Sequence, residues 1–158
     1  MQFMRANRTD PEKIFMSFKN SYDTASLTNG QACMVDYTND ADGVGVTKPA
    51  ARSTTHNGNV IAGIVAEAIA AGKYGLIQVY GYHSAVRMRS ATGGSPAIAG
   101  GQPLYVAAAA AFCVESARFV CTTCSGNTKV SVLKSIGFAL AAQASWTTKT
   151  VAAFVKAL

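Results

Sequence analysis

Glycine, proline and asparagine interrupt this 158-residue chain so often that its apolar runs stay short. No long amphipathic helical repeat fits anywhere in it. Residues 75–89 carry the clearest strand signal, because Leu76, Ile77, Val79, Tyr80, Tyr82 and Val86 all favour extended backbone. Their last part alternates Val86 and Met88 against Arg87 and Arg89. The run is long for a single strand, so Gly81 is expected to mark a bend or bulge. Residues 13–19 alternate Ile14, Met16 and Phe18 against Lys13, Phe15, Ser17 and Lys19. Further short strands are expected at 31–37, 44–46, 103–106, 129–133, 136–140 and 150–155. Many short strands between turn residues predict a mainly β fold: a small β-barrel or β-sandwich with an extended N-terminal arm and at most one or two short helices.

Two segments pull both ways. In residues 60–69, Ile61, Ile64, Val65, Ala68 and Ile69 fall at helical spacing, with Gly72 placed as a C-terminal cap. Gly63 and the β-branched opening favour a strand to about Val65, then a helical turn over 67–72, then a strand. In residues 104–118 five consecutive alanines favour helix, whereas Tyr105, Val106, Phe112 and Val114 favour strand. The domain reading is residues 1–26 as an arm with the first strand, interrupted at Asp10-Pro11, and 27–158 as one β-rich domain. If Phe3, Met4 and Phe15 cannot all reach the core, they dock on a neighbour; otherwise the arm is an edge strand with a frayed end. Residues 1–20 are then dispensable for folding. Residues 48–59 read as an exposed loop and 90–101 as a glycine-rich loop, mobile or facing a partner.

Charge narrows the function. Only 14% of residues are charged, against about 25% in typical soluble domains, a composition suited to a surface held against other molecules. The net charge of +6 lies in the second half. There Arg87, Arg89, Arg118, Lys129, Lys134, Lys149 and Lys156 face a single acid, Glu115. An acidic partner is therefore favoured. The cations are scattered and no basic run interleaves with aromatics, so direct nucleic-acid binding is not expected. No stretch at the N-terminus resembles a signal peptide. The low-charge stretch 90–114 is broken by glycines and prolines and makes a poor membrane span.

Groups for catalysis are sparse. His56 sits in a polar loop and His83 on the long strand beside Ser84. Neighbours on a strand point to opposite faces, so they form no dyad. No phosphate-cradling motif is present. Asp36, Asn39, Asp40 and Asp42 invite a calcium reading, but the ordered spacing with a distal Glu is missing, and a solvated turn is preferred. Cys121 and Cys124 have knuckle spacing, and Cys33 and Cys113 are the only others to complete a zinc set. Buried or turn thiols are preferred, with a Cys121–Cys124 disulfide under oxidising conditions. No enzyme activity, metal or cofactor is expected.

Several segments, in order, resemble one family. Val60-Ile-Ala-Gly-Ile-Val-Ala, Ile69-Ala-Ala-Gly72 and Gly75-Leu-Ile-Gln-Val-Tyr-Gly81 resemble the strand–turn–strand unit of tailed-phage head decoration (capsid cement) proteins. Gly100-Gly-Gln-Pro-Leu-Tyr-Val106 resembles their glycine turn feeding a short strand. Ile136-Gly-Phe-Ala-Leu140 with residues 150–158 resembles their closing hairpin. The likeness spans roughly residues 59–158 as an order of turns and strands. The chain departs from it in its arm and its four cysteines. The resemblance implies a structural virion protein, made in the host cytoplasm, that binds the capsid exterior and bridges neighbouring subunits. Its partners would be the major capsid protein and copies of itself, as a symmetric trimer or dimer, with no membrane. Expected contact residues are Phe3, Met4, Arg5, Arg8, Phe15, Arg87 and Arg89. The rival readings are another minor virion component (head, neck or fibre-associated) and a carbohydrate-binding β-module using Tyr80, Tyr82 and Trp146.

Overall fold

The computed structural model describes residues 12–22, 24–40, 42–49, 61–88, 98–106, 114–116, 135–142 and 149–157. These hold nine strands and no helix: β1 (Lys13–Asn20), β2 (Ala32–Val35), β3 (Gly45–Thr47), β4 (Ile61–Val65), β5 (Tyr74–Met88), β6 (Pro103–Val106), β7 (Val114–Ser116), β8 (Gly137–Ala139) and β9 (Lys149–Lys156). The protein is mainly β, as the punctuation of the sequence predicts. Residues 107–113 and 117–134 lie outside the described residues, and with them most of the helix-or-strand ambiguity and the strand expected at 129–133.

One mixed sheet runs in the order β1-β3-β2-β4-β5-β7-β6-β8-β9, and β5 also pairs with β1 and with β9. The pairings therefore close twice, through β1-β3-β2-β4-β5 and through β5-β7-β6-β8-β9. Closure of this kind leaves fewer bare sheet edges than an open sheet would. β5 serves both circuits because it is 15 residues long. Its first half pairs antiparallel with β1, from Lys19↔Tyr74 to Lys13↔Gly81. From Tyr80 onward it pairs antiparallel with β9, from Tyr80↔Lys156 to Met88↔Lys149. Gly81 sits where the two ladders overlap, with φ +102. A Cβ there would lie 1.9 Å from the Glu12 carbonyl oxygen, so only glycine lets β1 approach this closely. The expected irregularities flank it: the register slips opposite Val79 on the β1 side and between His83 and Val86 on the β9 side.

Two apolar clusters follow the two circuits. Phe18, Leu27, Cys33, Val46, Val65, Ile69 and Ile77 form one. Val86, Met88, Ile98, Leu104, Ile136 and Val155 centre the other. Each fully buried Ile, Leu or Val side chain contributes roughly 1.5–3 kcal/mol. β4 feeds both clusters. Cys33 pairs with Gly63 and Met34 with Ile61, which leaves Ala62 as an extra, bulged residue. Ile61 and Ile64 thus face one cluster while Ala62 and Val65 face the other. This spacing of three is what reads as helical in the sequence.

The helical turn expected over 67–72 is absent. Ile69 instead exchanges both backbone hydrogen bonds with Leu27, each 2.9 Å, and the segment stays extended. The chain then reverses through a turn closed by Lys73 N–H to Ala70 C=O at 3.0 Å. Gly72 takes φ +71 there, as the third position of a type II turn requires, and is not a helix cap. The loop expected over 90–101 is also corrected at its end: Ile98 is fully buried in the second cluster. The first strand is integral to the sheet. Asn20 at its end is fully buried. Its Nδ2 donates to Ile69 C=O at 2.9 Å and its Oδ1 accepts from Tyr22 N–H.

Candidate functional site

The titratable groups singled out by sequence hold structural places. Asp36 is buried and its carboxylate accepts from the backbone and side-chain N–H groups of Asn39, closing the turn that follows β2. Among the described residues no three His, Cys, Asp or Glu side chains gather to hold a metal ion. His83 is buried on β5, and its Nδ1 accepts from Ala85 N–H at 3.1 Å. Burial holds its pKa below the usual 6.5, a hydrogen bond with the Val65 backbone opposes this, and the Lys13 charge adds to the lowering. Ser84 points the other way and is exposed. Cys33 donates to the Gly63 carbonyl at 3.4 Å, and desolvation pushes its thiol up to about 12. A thiol so hard to ionise is a poor metal ligand and a poor nucleophile. Cys113, Cys121, Cys124, His56 and Trp146 lie outside the described residues.

The outside of the sheet is more distinctive. β8 turns Gly137 and Ala139 inward and leaves Phe138 39% exposed. Phe138 stacks on Phe154 of β9, with ring centroids 5.2 Å apart and planes 11° from parallel. Tyr80 of β5 meets Phe154 edge-on at 5.1 Å. Ile14 of β1, 41% exposed, pairs with Tyr80 and continues the row. Leu140, two residues beyond Phe138, is 45% exposed at the other end. Its N–H donates to Ala152 C=O, so it stays in the ladder. Lys156 pairs with Tyr80, and the Lys13 Nζ sits 5.8 Å from the Tyr82 ring centre. The small residues Gly137, Ala139 and Ala153 lie inside while the rings lie outside, the reverse of an ordinary core strand.

Of the expected contact residues, Phe15 is exposed on β1 and Arg87 is half-buried near the far end of β5. Phe15 pairs with Gln78, nine residues from Arg87 along β5. That is up to ~30 Å of strand, so the two do not share a compact patch. Phe3, Met4, Arg5, Arg8 and Arg89 lie outside the described residues. Sequence reasoning did not single out Ile14, Phe138, Leu140 or Phe154 as a surface. The available signal was the strict alternation of small and large residues in Gly137-Phe138-Ala139-Leu140.

Among the described residues no helix is long and apolar enough to cross a membrane. No known protein family model matches the chain, and no curated protein matches its sequence.

Proposed function

We propose that this chain is a structural component of a phage particle that binds the outer surface of the capsid and stabilises it by bridging neighbouring subunits. One observation carries the reading. β1 follows directly on residues 1–11, and its successive residues Ile14, Phe15 and Met16 all remain exposed although the strand is locked into the sheet by seven pairings with β5. Successive strand residues point to opposite faces, so β1 presents exposed apolar side chains on both of its sides here, more than an isolated surface residue would give. β3 pairs with β1 only at Lys19 and Asn20, so among the described residues the second edge of β1 over 13–18 has no ladder partner. An open edge with apolar side chains suits strand addition to or from a neighbour. Repeated contacts of this kind around a shell add avidity without tighter individual sites. The reading also draws on the resemblance of residues 59–158 to decoration proteins, a stretch in which β4 pairs β5, Gly101 with φ +83 precedes β6, and β8 pairs β9.

A sugar-binding role for Tyr80 and Tyr82 has less support. The Tyr80 ring is packed edge-on to Phe154, and Lys13 lies over the Tyr82 ring. Counting this chain in purified particles by quantitative mass spectrometry tests the proposal. A copy number approaching that of the major capsid protein is expected. A few copies per particle would point to a neck or fibre component, and none would remove the chain from the virion.

A further inference from the structure

We infer that the outward face formed by Ile14, Tyr80, Phe138, Leu140 and Phe154 is the surface that seats on the capsid, and that its counterpart is an apolar protein patch bordered by carboxylates. The inference rests on the decoration reading and adds to it the docking face and the chemistry of the epitope.

The charges choose the partner. The strands that build this face, β1, β5, β8 and β9, carry Lys13, Lys19, Arg87, Lys149 and Lys156 and no carboxylate, while the nearby acids are Glu12, just before β1, and Glu115 on β7. Lys156 stands in the aromatic row itself and Lys13 lies at its border. The chain's other exposed apolar region, around Leu76, differs: a Glu67 carboxylate oxygen accepts from Leu76 N–H there. An apolar face whose margin carries more positive than negative charge is complementary to an apolar patch with a negative margin, and such matching governs encounter and register. A second copy placed face to face would set lysines against lysines, which disfavours self-association through this surface. Single-stranded nucleic acid needs free ring faces on which to stack. Here Phe138 and Phe154 stack on each other and Tyr80 abuts Phe154, so one face of Phe138 and two sides of Phe154 are already taken. Their mutual packing instead makes a rigid, pre-ordered platform, which reduces the entropy lost on docking.

The test uses the full chain as wild type, as Phe138→Ser, as the double variant Lys13→Glu with Lys156→Glu, and as Tyr37→Ser, a control on the exposed turn after β2. Each is pelleted with shells of the particle's major capsid protein prepared without this chain. Circular dichroism checks that every variant is folded, and the charge variant keeps the test valid should Phe138→Ser unfold. Wild type and Tyr37→Ser are expected to pellet alike. The double variant should bind at least about tenfold more weakly, since two attractions become repulsions. Phe138→Ser should lose about tenfold, the loss of a buried aromatic anchor. Wild-type pelleting that the variants leave unchanged overturns this face while sparing the decoration reading. No wild-type pelleting overturns both. Sedimentation velocity showing an oligomer that these substitutions dissolve would give the face to a second copy. Binding of oligothymidine that the same substitutions abolish would give it to nucleic acid.

Discussion

Replacing Gly81 with alanine attacks the point where β5 passes from one circuit to the other. Two terms set the cost. An L-residue held at φ +102 is strained, by roughly 1–2 kcal/mol on the scale of left-handed backbone. The new Cβ would also stand 1.9 Å from the Glu12 oxygen, where real contacts stay beyond 3.0 Å, so β1 must retreat by about 1.1 Å, the difference of the two. Backbone hydrogen bonds do not survive such a shift, and the neighbouring pairs Lys13↔Gly81 and Ile14↔Tyr80 are the first lost. Two lost bonds at about 0.5–1.5 kcal/mol each bring the sum to roughly 2–5 kcal/mol. A chain of this size should then melt roughly 5–15 °C lower. Gly72→Ala is the matched control: its φ is +71, but nothing lies within 4 Å of its Cβ, so only the strain of about 1–2 kcal/mol remains. Urea unfolding followed by far-ultraviolet circular dichroism measures both. Equal losses in the two variants, within about 0.5 kcal/mol, would refute the close β1–β5 seam as the reason for glycine at 81.

Other consequences are direct. His83 is held neutral, so between pH 6.5 and its lower folded value the unfolded chain binds the extra proton. Stability should therefore fall as pH drops below about 6.5, and His83→Gln should flatten that slope in melts at pH 7.5 and 5.5. An unchanged slope assigns the loss to other groups. Removing residues 1–11 should leave a folded protein, whereas removing 1–20 deletes β1, Phe18 and the buried Asn20 network and should unfold it or lower its melting temperature sharply. Equal melting temperatures for the two truncations would show that β1 is not part of the sheet that matters for stability.

Local chemistry made much of the fold readable. β5, β6 and β9 follow from β-branched and aromatic residues in short bounded runs, and β1 from its alternation. What failed depends on distant partners. The bulge at Ala62 imposes a spacing of three on β4, which imitates a helix. The stretch to Gly72 stays extended because Leu27, far away in sequence, takes up the backbone of Ile69. Ile98 is drawn from a glycine-rich loop into the core, an outcome its flanking residues do not announce. The aromatic face was hidden for another reason. Large rings are expected inside, and only the pairing of β8 with β9 reveals that Gly137, Ala139 and Ala153 fill that space.

The most direct measurement is an image of intact particles at subunit resolution. Nine-stranded density of this chain is expected on the outer surface at many equivalent positions, with Phe138, Phe154 and Lys156 turned toward the shell and β1 held in the chain's own sheet. Particles without that density, or with it turned so that the aromatic face meets only solvent, would contradict the proposal.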